Sequence, residues 1–329
     1  MKVLYLGGTG EISYECLLRS VETGHECTVF NRGRDPEPLP SGARRIVGDM
    51  TNATEYAALA SKNFDVVCQF RAFTPDDGRR DLEVFAGRCA QFIFISTASA
   101  YQKPPRQGRI SEETPLVNPF WEYSRQKAEL ERLFIEAHRA GQMPVTIVRP
   151  SLTYRRRFPG TFASGDDWAW RMLQGRQVIV HGDGQALWTF THSRDFAALF
   201  VPLLGNPKVL GEAFHIMTDT AFTWRFLFEA TAQALGVQPK FAFVPTQTLI
   251  RYNPAWTGPL LGDKAWTSLF DTSKIEAISG PIPKPVPLDE GLNRVMLKFE
   301  ERMKSFTPDP ELHALIDRIA HEQDSLGAT

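Results

Sequence analysis

The chain has 329 residues, of which 43% are hydrophobic and 23% are charged, as in an ordinary soluble globular protein. Its formal net charge of −1 argues against binding to nucleic acid or to an anionic membrane surface. The densest basic run, residues 155–157, is too short for a nucleic-acid interface. This length predicts one large domain or two unequal ones, with enough chain for a sizeable core.

Cysteine usage and the N-terminal sequence favour a cytoplasmic protein. The four cysteines form no CxxC pair, and three lie in apolar stretches, where cysteine usually packs as a small hydrophobe. This usage is typical of a reducing compartment. The apolar run before Gly7 is too short for a signal peptide, and no stretch approaches the roughly 18 apolar residues of a membrane helix. No metal site is predicted.

The first half of the chain alternates β-rich runs with helical stretches. We predict strands at residues 3–6, 26–30, 45–47, 66–70, 92–96 and 145–148, and helices at residues 13–21, 53–60, 79–88 and 121–139. Such alternation is typical of a parallel sheet covered by helices on both faces. The predicted fold class is therefore α/β, with a doubly wound parallel Rossmann sheet.

The pattern loosens after Pro150. Further helices are predicted at residues 168–173, 224–235 and 310–322, a strand at 177–180, and a strand followed by a helix at 188–204. We predict that residues 1–150 form the Rossmann domain, to which the chain returns around 187–215. Residues 151–186 and 216–329 are predicted to form a smaller, irregular substrate-binding domain over the carboxyl edge of the sheet, where ligands bind in such folds.

A glycine-rich loop joins the first predicted strand to the first predicted helix. It reads Gly7-Gly8-Thr9-Gly10-Glu11-Ile12-Ser13. Glycines at positions 7 and 10 permit a tight turn and a close approach of backbone amides to a pyrophosphate, and the helix N-terminus adds positive partial charge. The third position of the usual motif is Ser13, which is small enough for helix–strand packing. The loop predicts dinucleotide binding through Gly7, Thr9, Gly10, Glu11 and Ile12.

The end of the second predicted strand bears on the choice between NAD and NADP. An acidic residue here would bind the adenosine ribose and repel a 2′-phosphate, whereas Asn31 is neutral. Arg32 and Arg34 suit a phosphate, because a guanidinium donates bidentate hydrogen bonds. We therefore favour NADP over NAD; the alternative is that both arginines are solvated loop charges. Asp49 and Met50, after the third strand, are predicted to contact the adenine.

The predicted catalytic groups lie at a strand end and on one helix. Tyr123 and Lys127 are four residues apart and so share a helical face, where the lysine charge is expected to lower the phenol pKa towards the working range. A phenol so tuned can exchange a proton with a substrate oxygen while hydride moves to or from nicotinamide. The Thr97 hydroxyl, at the end of the fifth strand, is predicted to hold the same oxygen.

These motifs, with residues 92–101, 148–150, 182–184 and 191–195, resemble the extended short-chain dehydrogenase/reductase superfamily, in its NAD-dependent epimerase/dehydratase family. The resemblance covers most of the chain and implies that Thr97, Tyr123 and Lys127 are the catalytic set. It implies that Lys127 also contacts the cofactor. Further cofactor contacts are implied at Phe70, Arg71, Ala72, Ser96, Pro150 and Ser151. It makes His192 and Asp195 structural. It also implies a homodimer that pairs the helix bearing Tyr123 with its neighbour.

Departures from the family pattern narrow the range of reactions and substrates that we expect. Ala98 and Ser99 stand where sugar 4,6-dehydratases carry an Asp-Glu pair, so loss of water is not expected. Leu152 stands where nucleotide-sugar enzymes carry an asparagine, and no arginine follows Gly184 closely to clamp a diphosphate. Arginines at positions 155–157 and 251 could replace that clamp.

The sequence therefore predicts an NAD(P)-dependent enzyme that interconverts an alcohol and a ketone on a small sugar, polyol or ketone. Two alternatives stay open: an epimerase that oxidises and re-reduces one carbon, and a non-catalytic relative that senses NADP or associates with RNA. An NADP-type pocket disfavours the epimerase, because a redox-neutral reaction gains nothing from the NADPH pool. The catalytic set and the lack of a long basic run argue against the non-catalytic relative.

Overall fold

The central sheet has seven strands, each parallel to its neighbours. The computed structural model describes residues 1–35, 37–106 and 108–327. Numbered in chain order, the strands of this sheet are β1 (Lys2–Leu6), β2 (Glu26–Asn31), β3 (Arg44–Val47), β4 (Val66–Gln69), β5 (Gln91–Ile95), β6 (Val145–Pro150) and β10 (Ala213–Ile216). Their order across the sheet is β3-β2-β1-β4-β5-β6-β10, so the winding reverses between β1 and β4. The predicted doubly wound Rossmann sheet is confirmed.

Burial on both faces explains the composition of the central strands. β4 reads Val-Val-Cys-Gln and β5 reads Gln-Phe-Ile-Phe-Ile, and every residue of both is buried. Runs of β-branched and aromatic residues are typical of strands covered by helices on both faces. The six predicted strands are present within two residues of their expected bounds, whereas β10 is not predicted by the sequence pattern.

Helices cover both faces of the sheet. The α-helices, also numbered in chain order, are α1 (Ser13–Glu22), α2 (Ala53–Ala57), α3 (Pro75–Phe85), α4 (Glu122–Arg139), α5 (Gly165–Leu173), α6 (Ser193–Phe200), α7 (Trp224–Ala234), α8 (Thr246–Tyr252), α9 (Thr257–Pro259), α10 (Ser273–Ser279), α11 (Leu288–Ser305) and α12 (Pro310–Gly327). Val3 and Tyr5 of β1 pack with α1 and α6, while Leu4 and Leu6 pack with α3 and α4 on the other face. This alternation of side chains gives the sheet two separate core layers.

Helix α3 begins four residues before its predicted start at residue 79. The Thr74 hydroxyl accepts a hydrogen bond from the Asp77 amide, and the Asp77 carboxylate accepts one from the Thr74 amide. Pro75 occupies the first turn, where a missing N–H costs nothing. This capping box is a helix-start signal that lies ahead of the apolar periodicity.

The second half of the chain adds two small sheets. Strands β7 (Leu152–Tyr154), β9 (Leu187–His192) and β11 (Ala221–Thr223) form one, and β8 (Val178–His181) and β12 (Phe241–Val244) form the other. Buried tryptophans fill the cores beside them: Trp168, Trp188, Trp224 and Trp256. Helix α10, which belongs to the residues predicted for the second domain, packs on α6 and β10. The division of the chain into two domains stays a prediction.

Helix α11 follows a proline-rich stretch, residues 281–287, and is not among the predicted helices. Its buried residues are Leu288, Leu292, Val295 and Phe299, with Gly291 against Tyr154. Spacings of four, three and four residues are those of an amphipathic helix, so the periodicity needed to find α11 is present in the sequence.

Candidate active site

A cavity of about 1650 Å³ opens at the carboxyl ends of the central strands, where the winding reverses. Its wall combines the loop after β1, the end of β2 and the segments that follow β3 to β6, together with parts of α4 and α11. Most of the predicted site residues line it: Gly7, Thr9, Gly10, Glu11, Ile12, Asn31, Arg32, Arg34, Asp49, Met50, Phe70, Arg71, Ser96, Thr97, Tyr123, Lys127, Pro150 and Ser151. The exception is Ala72, which is fully buried.

The glycine-rich loop is built around residues that no larger side chain could replace. Gly7 has φ of +105°, and a Cβ there would lie 2.6 Å from Cγ of Arg71. Its amide donates to the carbonyl of Phe30 at 3.1 Å, which ties the loop to β2. Ser13, in the third motif position, accepts a hydrogen bond from the Gly10 amide at 2.9 Å. The serine therefore stabilises the turn that its glycine counterpart would only permit.

The end of β2 presents neutral and basic groups to the cavity. The Asn31 side chain donates to the Thr9 hydroxyl at 3.3 Å and accepts from the Gly33 amide at 3.0 Å. Arg32 and Arg34 are exposed at the cavity rim. Hydrogen bonds from Thr51 lower the pKa of the Asp49 carboxyl, and the charges of both arginines act in the same direction. This end of the cavity therefore carries the positive charge that the sequence predicts.

Five charged residues that line the cavity form an ion-pair cluster: Glu11, Asp35, Glu37, Arg155 and Arg156. It is called the cleft-crossing cluster here, because it links loops that follow three different strands. Arg155 forms a bidentate pair with Glu37, at 2.8 and 2.5 Å, and Arg156 binds both Glu11 and Asp35, at 3.0 and 3.2 Å. The Glu11 carboxylate also accepts the amides of residues 155 and 156. The cluster joins the loop after β7 to the loops after β1 and β2.

Lys127 is held under the cavity floor by backbone carbonyls. Its Nζ donates to Ala72 at 2.7 Å and to Ile95 at 2.8 Å, and it lies 4.7 Å from the centre of the Phe94 ring. Burial lowers the pKa of Lys127 to about 7, against the opposing charge of Glu131. Ala72 thus contributes to the site through its carbonyl group rather than by lining the cavity.

The expected lowering of the Tyr123 pKa is wrong for the protein without cofactor. Burial raises the pKa of the Tyr123 phenol to about 12, the Thr97 hydroxyl opposes this, and the charge of Asp263 adds to it. Desolvation disfavours tyrosinate, and the lysine that was expected to stabilise it is itself easily neutralised. At neutral pH the phenol is therefore protonated and can act as a proton donor.

A chain of hydroxyls joins the end of β5 to α4. Thr97 Oγ1 lies 3.0 Å from Ser99 Oγ, which lies 2.7 Å from Ser124 Oγ on the residue after Tyr123. Ala98 is buried beside them. Neither Ala98 nor Ser99 offers a free acid or base to the cavity. The Ser96 hydroxyl is buried in the cavity wall and has no hydrogen-bond partner among the described residues.

His192 and Asp195 have the structural contacts that the family resemblance implies. His192 Nδ1 accepts from the Arg194 amide at 3.2 Å and so caps α6, and burial lowers the pKa of His192 to about 4. Asp195 accepts from the Val286 amide at 2.9 Å. Leu152, the departure from the nucleotide-sugar pattern, lines the cavity half-buried.

Several residues around the site are not found by sequence reasoning. Asn118 donates to the carbonyls of Ser99 and Gly262, at 2.7 and 2.6 Å, and so joins the segment before α4 to the π-helical segment Leu260–Lys264. On α11, the basic residues of the cavity wall are Arg294, Lys298 and Arg302. Asn118 belongs to no local sequence motif that would have indicated its role. The basic residues of α11 could have been placed near the site if that helix had been predicted.

Within the described ranges, no group of three or more His, Cys, Asp or Glu side chains is arranged to hold a metal ion. Across the same part of the chain, no helix has the length and apolar character needed to cross a membrane. All four cysteines lie in described residues and are free thiols.

The fold and the cavity define a Rossmann-type α/β protein with a large cleft at the carboxyl ends of its central strands. A model of the NAD dependent epimerase/dehydratase family matches residues 3–216. The chain belongs to this family, and that membership supports an enzyme of the NAD-dependent reductase, epimerase or dehydratase kind.

Two relatives differ in what their names describe. A 2′-dehydrokanamycin reductase of Streptomyces kanamyceticus is 25% identical over 289 residues, which cover 85% of this chain and 79% of the relative. The chloroplast stem-loop binding protein of 41 kDa b of Arabidopsis thaliana is 26% identical over 268 residues, which cover 77% of this chain and 66% of the relative.

Solved structures share the fold. The UDP-glucuronic acid 4-epimerase of Bacillus cereus, in complex with UDP-glucuronic acid and NAD, has a TM-score of 0.73 at 21% identity, covering 92% of this chain and 100% of that one. The UDP-glucose 4-epimerase of Thermus thermophilus, in complex with NAD, has a TM-score of 0.73 at 21% identity, covering 91% and 99%. At these identities the likeness concerns the fold alone.

Proposed function

We propose that the protein is an NADP(H)-dependent reductase that interconverts a ketone and an alcohol on a sugar- or polyol-type substrate without a nucleoside diphosphate. The observation that carries this proposal is the cavity itself. It brings Tyr123, Lys127 and Thr97 together with the glycine-rich loop and with Arg32 and Arg34. A relative of similar length is a reductase of a keto-aminoglycoside by its name, which agrees with this chemistry.

The residues present fit a nicotinamide dinucleotide. The tight turn at Gly7 leads the chain into the N-terminus of α1, whose positive partial charge suits a pyrophosphate, and a side chain at Gly7 would meet Arg71. The unpartnered Ser96 hydroxyl and the Lys127 ammonium offer polar contacts near the predicted nicotinamide position. Arg32 and Arg34 would hold the 2′-phosphate of NADP, and neutral Asn31 would not repel it.

When bound, the cofactor supplies a hydride to the carbonyl carbon. Tyr123 donates its phenolic proton to the carbonyl oxygen, so the ketone becomes an alcohol and tyrosinate remains. The Thr97 hydroxyl orients the same oxygen by a hydrogen bond. Lys127, when protonated, stabilises the tyrosinate, which then recovers a proton from solvent. A phenol that is protonated before the reaction suits the direction of reduction.

Activity assays separate this proposal from its two alternatives. Purified protein is mixed with NADPH and a panel of keto-sugars, inososes and 2′-dehydrokanamycin, and nicotinamide absorbance and product mass are followed. Substrate-dependent oxidation of NADPH supports the reductase. Inversion of a hydroxyl without a change in absorbance indicates the epimerase instead.

The RNA-associated alternative is kept because of the name of the Arabidopsis relative. A filter-binding assay with stem-loop RNA at physiological salt tests it, with and without NADPH. Specific RNA binding together with a lack of turnover on the whole panel contradicts the proposed reductase.

A further inference from the structure

The loop after β2 carries opposite charges within a few residues. Arg32 and Arg34, the proposed phosphate ligands, are followed by Asp35 and Glu37, and all four line the same cavity. Glu11, in the glycine-rich loop, adds a third carboxylate. Like charges repel strongly in a partly desolvated cleft, so three free carboxylates would oppose a ligand with several phosphate charges.

In the structure these carboxylates are neutralised from another part of the chain. Arg155 and Arg156 belong to the loop after β7, 118 and 121 positions from their partners Glu37 and Asp35. The hydrogen bonds from Arg155 lower the pKa of Glu37, so that carboxylate is ionised at neutral pH. The pairing is therefore between full charges, on residues that line the same cavity.

Arg155 is packed more tightly into the protein than Arg156, whose side chain is 26% exposed. The Arg155 side chain is 9% exposed, and its guanidinium lies 4.3 Å from the centre of the Tyr14 ring. The Tyr14 hydroxyl in turn donates to the carbonyl of Pro38, in the loop that carries Glu37. Arg155 Nε is buried and has no hydrogen-bond partner among the described residues.

We propose that Arg155 and Arg156 determine cofactor specificity: by neutralising Glu11, Asp35 and Glu37 they allow a dinucleotide with a 2′-phosphate to bind beside an acidic loop. The inference rests on the proposed preference for NADP and adds a second set of residues to it. Arg32 and Arg34 contact the phosphate, whereas the cleft-crossing cluster removes the charge that would repel it. A phosphate carries about two negative charges at neutral pH, so NADP depends on this neutralisation more than NAD does.

Charge rescue tests this role. In Arg156→Gln the Glu11 and Asp35 carboxylates lose their partner, and we expect the Kd of NADPH to rise on the order of tenfold, and that of NADH by less. Removing the two freed acids as well, in Arg156→Gln/Glu11→Gln/Asp35→Asn, should restore most of the NADPH affinity. A second pair, Arg155→Gln with and without Glu37→Gln, repeats the test at the other arginine. Both cofactors are titrated by fluorescence, and thermal unfolding verifies that each variant is folded.

Arg157→Gln is the matched control. It removes the same charge from the next residue, which also lines the cavity, but for which no carboxylate partner is found in the described part of the chain. Because Arg155 and Arg156 still neutralise the three acids in this variant, the ratio of NADPH to NADH affinity should stay close to that of the wild type. Equal losses for NADPH and NADH in Arg156→Gln, or no rescue by removal of the acids, would overturn the inference.

Failure of the proposed NADP preference is seen separately. It is indicated when the wild-type protein binds NADH as tightly as NADPH and Arg32→Ala affects both alike. The rescue experiment then uses NADH, whose pyrophosphate would bind at the glycine-rich loop that carries Glu11. Recovery of NADH affinity supports neutralisation by the arginines, and absence of recovery contradicts it.

Discussion

The Lys127 ammonium lies 2.7 Å from the carbonyl oxygen of Ala72, and this contact joins α4 to the segment after β4. With the carbonyl of Ile95 as its second acceptor, Lys127 is surrounded by backbone dipoles, and no carboxylate among the described residues is in direct contact with it. Burial therefore lowers its pKa to about 7. A lysine in this state contributes to the pH dependence of stability as well as to the chemistry.

The first prediction concerns that pH dependence. Below pH 7, Lys127 is protonated in the folded and unfolded states alike, and the burial cost is constant. Between about pH 7 and the ordinary pKa of 10.5, only the unfolded chain binds this proton, so the free energy of unfolding rises with pH. The contribution is at most about 1.4 kcal/mol per pH unit.

Urea unfolding of the cofactor-free protein between about pH 6 and 9 measures this slope. Lys127→Met should lose it, whatever its constant offset in stability. Lys62→Met, at an exposed position, serves as the control and should keep the wild-type slope. An identical pH profile for wild type and Lys127→Met would show that the lysine is not a neutralised buried group.

The second prediction concerns proton donation. Tyr123→Phe removes the phenolic proton and little else, so kcat should fall by about 10²–10⁴-fold while the Kd of NADPH stays nearly unchanged. Tyr252→Phe, on α8 and outside the cavity, should retain wild-type turnover. More than about a tenth of the wild-type kcat in Tyr123→Phe is incompatible with its role as the acid.

The third prediction concerns the 2′-phosphate. Arg32→Ala should weaken NADPH binding much more than NADH binding, because only NADPH carries the extra phosphate. Fluorescence titration of both cofactors gives the ratio. Arg19→Ala, which removes an arginine in the last turn of α1 and outside the cavity lining, is the control. Equal losses for both cofactors mean that Arg32 does not read the phosphate.

Local and regular features made the first half of the fold predictable. Gly7 marks the turn after β1, and Tyr123 and Lys127 share a face because helical spacing dictates it. The pairing of Arg155 with Glu37 could not be predicted from the sequence, because it depends on how two loops that are 118 residues apart meet in the fold. The raised pKa of Tyr123 likewise depends on burial, which spacing alone does not give. Helix α11, by contrast, could have been predicted from the helical spacing of its apolar residues.

The fourth prediction is the homodimer that the family resemblance implies. The side chains that α3 and α4 expose are largely charged, and pairs such as Arg79 with Asp76 and Arg125 with Glu122 lie within one helix. A dimer formed through these helices would bury such pairs and should therefore weaken when charges are reversed. Light scattering of wild type and Arg125→Glu/Arg132→Glu measures this; a wild-type mass of one chain contradicts the dimer.

The last prediction concerns reaction class. Ser99 stands in the dehydratase acid–base region, but its hydroxyl is engaged with Ser124 at 2.7 Å, and Ala98 has no titratable group. Elimination of water needs an acid and a base at that place, whereas transfer of a hydride needs only the cofactor, Tyr123, Lys127 and Thr97. We therefore expect reversible alcohol–ketone chemistry with no product lighter by one water.

Incubation with free polyols and keto-sugars should change nicotinamide absorbance, and incubation with UDP-glucose and dTDP-glucose should not. As the control for the missing pair, Ala98→Asp/Ser99→Glu is assayed on the same substrates. Mass loss of one water in the wild type, or turnover restricted to the nucleotide sugars, contradicts this assignment.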